Sequence, residues 1–428
     1  MSTTDRRDFL KATGTVAATA TLAGFAPVHA AGNDVIKVGL IGCGGRGNGA
    51  IINCLQADKS VQVVAVADVF PEKANDAASN LKEGQYADRV KLADRIFSGF
   101  DAYEKLLKTD VDLVILATPP GFRPSHLEAT IAANKHVFCE KPVAVDGPGI
   151  RKCMSLVEES KKKNLAVVAG TQRRHQLSYL ETAKRVADIG EITGGRCSWN
   201  NDGIWFNPRK PGQKDVEYQL RNWYHYLWLC GDHIVEQHVH NLDVINWFIG
   251  SHPIRATGMG GRLGGTKARP DGDPREVGHI FDHFAVEYEY PNGVRIHSYC
   301  RHYPGPGDVS EMVTGTKGTI RTEDKTRFTL GTQEIYAAKQ DQADLSPYVR
   351  EHQDLIASIK AGKPLNELKQ VTESTLTAIM GRMSTYTGRA VTWKQAMESK
   401  ESTMPKELAM DLDLPAPVTP VPGKTKFV

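Results

Sequence analysis

Short apolar runs alternate with longer segments of mixed polarity through the first part of the chain, and the alternation changes character near residue 172. Val35 to Leu40, Val61 to Ala67, Val111 to Ala117, His136 to Cys139 and Ala166 to Ala169 are near-continuous apolar runs, the pattern of strands covered on both faces. Gly49 to Ala57, Tyr103 to Leu107, Ser125 to Ala133 and Arg151 to Lys163 read as the helices between them. This order predicts an α/β domain with a doubly wound parallel sheet. Thr118-Pro119-Pro120 stops the third strand at the carboxyl edge, where open sheets of this kind bind ligands.

Beyond residue 172 the runs are strand-like and follow one another directly. Ile192 to Asn200, Ile254 to Gly260, Ile280 to Tyr290, Val294 to Arg301 and Val309 to Gly315 are expected strands. Pro291-Asn292-Gly293 joins two of them as a hairpin, because Asn-Gly tolerates the positive φ that such turns demand. The prediction is a C-terminal α+β domain with a large, mostly antiparallel, open sheet. Pro347 to Lys360 and Val371 to Tyr386 read as helices, and the Pro-rich end as extended chain. The expected division is 1–30 an export signal, 31–170 and 171–395 two domains, and 396–428 a tail.

The signal is read from Asp5-Arg6-Arg7-Asp8-Phe9-Leu10-Lys11, which resembles the twin-arginine export motif. An apolar stretch from Ala12 to Ala26 and a Val28-His29-Ala30 cleavage-like site follow. Those fifteen residues fall short of the ~20 that span a bilayer, so no stable membrane span is expected. The implied partner is the twin-arginine translocation machinery, and the implied location periplasmic or otherwise exported. A net charge of +3 over 428 residues leaves no electrostatic footprint for nucleic acid. Seven scattered cysteines without a CxxC pair argue against a zinc site. His233, His238 and His240 with Glu236 do not have HExxH spacing, so no metal is expected.

Between the first strand and helix lies Gly42-Cys43-Gly44-Gly45-Arg46-Gly47, GxGxxG in the context the motif requires. Gly42 allows the tight turn, Gly44 lets backbone approach a pyrophosphate, and Gly47 permits close packing of helix on strand. Gly45 and Arg46 complete the candidate contacts. Asp68, ending the second strand, is placed to accept from the adenosine ribose and to repel a 2′-phosphate, which favours NAD over NADP; the alternative is that it merely caps a turn. Arg46 keeps NADP open. Thr118, Pro119, His126, Glu140 and Lys141 are the remaining candidate cofactor contacts.

Glu140-Lys141-Pro142 resembles the EKP motif of the Gfo/Idh/MocA oxidoreductases. The Gly-rich turn, Ala117-Thr118-Pro119, Asn134-Lys135-His136-Val137-Phe138 and EKP occur in that family's order and spacing. Glu351-His352-Gln353-Asp354-Leu355 and Trp393 extend the resemblance over most of residues 35–395. It implies an N-terminal Rossmann domain, a substrate-binding and oligomerisation domain, and an active site joining the EKP lysine to an acid and a histidine. His240-Asn241-Leu242-Asp243 resembles the family's H-x-x-D segment, so the resemblance makes His240 the histidine. Four residues back stands Glu236 where many relatives have aspartate, with Asp232 as the alternative acid. A spacing of four puts Glu236 and His240 on one face of a single helix.

Oxidising a sugar hydroxyl requires hydride loss to nicotinamide and proton loss to a base, a role that suits His240. Lys141 would hold the oxygen. Candidate substrate contacts are Arg173, Trp223, Tyr224, Asp232 and His240, with His175 beside Arg173. The aromatic run Trp223 to Trp228, with Trp205-Phe206 upstream, is either core packing or a surface on which a sugar's CH face stacks.

The leading expectation is an exported NAD-dependent oxidoreductase of a carbohydrate hydroxyl, with tightly held cofactor and a homo-oligomeric state, dimer or tetramer. The rival reading is an NAD-dependent glycoside hydrolase that oxidises C3 transiently, eliminates the aglycone, adds water and reduces again. A second rival is a nonenzymatic sensor that retained the dinucleotide-binding domain.

Overall fold

A computed structural model describes residues 35–263, 270–322, 327–337 and 345–428, which form one compact unit. The twin-arginine-like segment and its apolar stretch lie outside the described residues. The first half contains β1 (Ile36–Ile41), α1 (Gly45–Ala57), β2 (Val61–Asp68), α2 (Pro71–Glu83), β3 (Ile96–Ser98), α3 (Ala102–Leu107), β4 (Leu113–Leu116), α4 (Arg123–Ala132), β5 (His136–Cys139), α5 (Gly147–Lys162) and β6 (Val167–Ala169). The strands form a parallel sheet in the order β3-β2-β1-β4-β5-β6. This doubly wound order reverses at β1 and β4, which puts the crevice at the carboxyl ends of those strands.

The Gly-rich turn is positioned by backbone contact. Gly42 has φ +97°, and a Cβ there would lie 2.6 Å from Ala117 C. A Cβ on Gly47 would meet Gly42 O at 1.8 Å. Only glycine lets α1 start this close to β1. As a result α1 begins at Gly45, four residues before the position expected from apolar periodicity. The periodicity also missed α2 and β3. Both are short of large apolar residues: α2 buries Ala74, Ala77, Ala78 and Leu81, and β3 has no fully buried residue.

The second half runs α6 (Leu177–Arg185), β7 (Ile192–Asn200), α7 (Asp215–Arg221), α8 (Leu227–Cys230), α9 (His233–Glu236), α10 (Val239–Ile249), β8 (Arg255–Gly261), α11 (Pro274–Val277), β9 (His283–Glu289), β10 (Arg295–Arg301), β11 (Asp308–Gly315), β12 (Thr319–Thr322), β13 (Arg327–Leu330) and β14 (Gln333–Ala337). The last elements are α12 (Pro347–Lys360), α13 (Leu368–Thr387), β15 (Val391–Thr392) and α14 (Trp393–Glu398). Nine strands make one sheet in the order β14-β13-β12-β11-β7-β10-β9-β8-β15. Only β7 and β10 pair in parallel. Asn292 and Gly293, at φ 66° and 77°, turn the β9-β10 hairpin as its sequence predicts.

Two late helices tie the halves together. Leu355, Ile356 and Ile359 of α12 share the core formed by β1, β2 and α1. The backbone of residues 365–367 bonds to Val167 of β6. The buried helix α13 lies against β8, α5 and α10. Residues 399–428 contain no helix or strand; Met404, Leu408, Leu412 and Leu414 pack on Phe70, Tyr218 and Trp228.

Burial holds six histidines neutral. It pushes His126, His233, His238 and His352 down to about 3, His279 to about 4, and His240 well below the usual imidazole value. Below about pH 6.5 the unfolded chain protonates these positions and the fold does not. Four carboxyls that burial pushes upward, Asp68, Asp232, Glu236 and Glu351, take up protons in the fold and oppose the effect, as does His175, which its carboxylate partners raise to about 9. The six depressed imidazoles outweigh these five groups between about pH 6.5 and 5. Denaturant midpoints measured across that window should fall as pH is lowered; a flat profile would mean that these histidines are solvated.

Candidate active site

A cleft of about 800 Å³ opens along the carboxyl ends of the parallel strands. Its floor is the Gly42–Arg46 turn, Asp68 after β2, Thr118-Pro119 after β4 and Glu140-Lys141 after β5. Opposite, the second half supplies Trp205, Arg221, Trp223, Tyr224, Glu236 and His240.

The turn fits a pyrophosphate. A Cβ on Gly44 or Gly45 would meet nothing within 4 Å, so bare backbone faces open space. The thirteen-residue α1 has neither a side-chain cap nor an acidic residue in its first turn. Its amides and dipole are therefore available to phosphate. Asp68 holds the turn and also faces the cleft. Oδ2 accepts from Cys43 N at 2.7 Å and Oδ1 from Phe70 N at 2.9 Å, while the side chain lines the cleft. Each oxygen retains a lone pair with which to accept from a ribose hydroxyl. Arg46 turns toward Glu140, with Nε 2.9 Å from Oε1, and lies 5.0 Å over the Tyr348 ring. His126 lies 3.2 Å from Thr118 Oγ1, and its ring is 4.3 Å from that of Tyr103.

At the far end the Lys141 ammonium donates to the Glu236 carbonyl and lies 3.1 Å from Glu236 Oε1. Burial pushes the Glu236 carboxyl upward, and the Lys141 charge pulls it back. His240 stacks on Trp199 at 5.6 Å and 22°. Among the described residues, Glu236 Oε2 and His240 Nδ1 are buried without a hydrogen-bond partner. Both residues line the cleft, which places two incompletely satisfied ionisable side chains in its wall.

The structure differs from the expected geometry in one respect. Glu236 and His240 lie on two helices: α9 ends at Glu236, the chain breaks at Gln237 and His238, and α10 starts at Val239. The break swings Gln237 into the cleft as well. Asp232 sits elsewhere. At φ +82° it caps α9, and its carboxylate accepts from His233 N at 2.5 Å, from Phe281 N at 2.8 Å and from the Tyr386 hydroxyl. It does not line the cleft, which leaves Glu236 as the acid there.

Arg173 is likewise turned away, with its guanidinium 2.5 Å from buried Glu311. Its neighbour His175 lies between Asp354 at 2.7 Å and Glu367 at 3.3 Å, which raise it to about 9 against the effect of burial. Trp223 and Tyr224 both line the cleft, and the Tyr224 hydroxyl lies 2.9 Å from His233 Nδ1. Sequence reasoning missed Gln172, Gln237 and Tyr348 among the lining residues. Gln237 adjoins Glu236 and was within reach of the motif, whereas Tyr348 comes from α12 and carries no local signal. No helix among the described residues is long and apolar enough to cross a membrane, and none of their His, Cys, Asp and Glu side chains form a metal-binding group of three.

Two family models match the chain. Residues 36–171 match the oxidoreductase family with an NAD-binding Rossmann fold, and residues 181–321 match the GFO/IDH/MocA C-terminal domain. The chain belongs to the GFO/IDH/MocA oxidoreductase family. Inositol 2-dehydrogenase of Rhizobium meliloti (strain 1021) is 25% identical over 293 residues, 68% of this chain and 76% of that protein. A glycosyl hydrolase family 109 protein of Streptomyces niveus is 31% identical over 177 residues, 40% of this chain and 34% of that protein. The fold matches scyllo-inositol dehydrogenase of Lactobacillus casei, solved with NAD(H) and scyllo-inositol, with a TM-score of 0.63 and 19% identity, covering 84% of this chain and 99% of that one. As a member of this family the chain is an NAD-dependent oxidoreductase.

Two substitutions test the site as built. Gly44→Ala adds a single carbon to open space, so the apoprotein should melt close to the wild-type temperature while NAD binding weakens about tenfold or more. A lowered apo melting temperature would show that the turn is packed by protein. Arg173→Ala strands the buried Glu311 charge and should cost about 3 kcal/mol of stability in denaturant titration. A raised KM at unchanged stability would return Arg173 to the substrate contacts.

Proposed function

We propose that this protein is an exported dehydrogenase of a ring hydroxyl on a cyclic polyol or sugar, and that it keeps its dinucleotide bound between turnovers. The observation carrying this reading is the buried cluster of Lys141, Glu236 and His240 at one end of the Gly-rich cleft. The inositol dehydrogenases among its relatives support the polyol class. Export rests on the Arg6-Arg7 segment. Retention of the cofactor is supported by contacts that join the two walls of the cleft, since Arg221 of α7 lies 4.0 Å over the Phe70 ring and 2.7 Å from Glu72.

When bound, NAD supplies the hydride acceptor for the carbinol carbon. The Gly42–Gly47 turn would hold its pyrophosphate, and Asp68 its ribose. His240, kept neutral by burial, lines the cleft and accepts the hydroxyl proton on its imidazole. The Lys141 ammonium stabilises the oxygen as negative charge develops on it. Glu236 holds that ammonium through its carbonyl and Oε1, leaving Oε2 to accept from a neighbouring substrate hydroxyl. The uncovered face of the nine-stranded sheet presents Met259 and Tyr299, 76% and 43% exposed, and is the surface proposed for pairing into a dimer or tetramer.

The match to the family 109 protein favours a second reading, redox-assisted glycoside hydrolysis. Incubation with myo-inositol, D-glucose and nitrophenyl glycosides, following NADH and aglycone release in parallel, separates the two. Lasting, sugar-dependent reduction of nicotinamide, read by its absorbance whether bound or free, is the expected result; aglycone release without it would assign hydrolysis. Lys141→Met and His240→Asn should each lower kcat about a hundredfold or more while NAD still binds. Wild-type turnover in either would remove that residue from the chemistry.

A further inference from the structure

We propose that Trp205 forms a stacking platform for a second sugar ring, so that the preferred substrate is a glycoside larger than one ring. This rests on the carbohydrate reading above and names the substrate class within it. Trp205 is 44% exposed and lines the cleft. It is braced from behind: its ring centroid lies 5.5 Å from Trp223 and 5.6 Å from Tyr224, the latter edge-on at 79°. Its carbonyl is 2.7 Å from His225 Nε2. An indole held by two aromatic rings with one side open to a cleft offers a ligand a pre-positioned apolar face.

The position points to substrate rather than to the dinucleotide. Trp199, stacked on His240, stands one residue before the end of β7, and six positions later the chain reaches Trp205. Tyr224, the ring it meets edge-on, reaches His233 at the start of α9, the helix that ends in Glu236. Aromatic surface therefore runs from the catalytic cluster through Tyr224 and Trp223 to Trp205. The nucleotide side is covered by different residues, with Arg221 on Phe70 and Glu72. Gln237 and Lys210 line the same cleft, and the Lys210 ammonium has no partner among the described residues. An open aromatic face with polar donors at its rim matches a pyranose, whose CH face is apolar and whose edge carries hydroxyls.

The test compares one-ring and two-ring substrates by NADH formation: D-glucose, D-galactose and myo-inositol against cellobiose, maltose and lactose. For the wild type, kcat/KM should be highest for a disaccharide. Trp205→Ala should lower the two-ring to one-ring ratio of kcat/KM by roughly three- to tenfold, the range expected for losing one aromatic contact. Trp205→Phe should restore most of it. NAD affinity is measured alongside by fluorescence titration. The proposal is overturned if disaccharides have no advantage in the wild type, or if Trp205→Ala weakens NAD binding and leaves the ratio unchanged. Absence of NADH from every sugar would overturn the oxidoreductase reading itself, an outcome distinct from turnover of one-ring substrates alone.

Discussion

A lysine ammonium buried with a glutamate at the junction of two halves is expensive to desolvate, and it persists only where geometry and further hydrogen bonds compensate. Lys141 and Glu236 meet this condition because each is anchored at the end of its own element. Lys141 follows β5 in the parallel sheet, and Glu236 closes α9 at the foot of the second half. The Glu236 carbonyl takes a second bond from the ammonium, so the pair is held by backbone as well as by charge. Around it, Arg123 donates to the Pro142 carbonyl, and Arg382, fully buried, donates to Val145 and Gly231. These contacts bring the end of β5 and the start of α9 to the same place.

The two halves are therefore not independent bodies that happen to meet at a cleft. The helix α12 adds its apolar face to the core of the first half, and α13 packs on elements of both. The cleft forms where these packed parts leave the strand ends uncovered. Its chemistry is divided accordingly, with backbone and glycine at the phosphate end and buried ionisable groups at the other. Burial sets the character of the second end: it holds the His240 imidazole neutral beside the Lys141 ammonium and the Glu236 carboxyl.

Several residues that look functional in sequence have become structural. Asp232 and Arg173 carry the right chemistry at plausible spacing, but one caps α9 and the other neutralises Glu311. Both are buried charged groups whose partners come from distant parts of the chain: Phe281 and Tyr386 for Asp232, Glu311 for Arg173. Spacing along the chain cannot tell a buried ion satisfied by protein from one left for a ligand, because that depends on what else packs there.

The parallel strands, the Gly-rich turn and the Asn-Gly hairpin were legible because their physics is local, whereas Glu140-Lys141-Pro142 was legible through its resemblance to a family motif. Apolar runs must be buried, positive φ needs glycine or asparagine, and a strand-turn-helix unit closes within about thirty residues. Long-range packing decided the rest. The break between Glu236 and His240, the return of α12 to the first half and the entry of Tyr348 into the cleft depend on contacts between residues far apart in sequence. Residue order alone leaves those contacts open, because the free energy that selects among them is released only when the whole core is assembled.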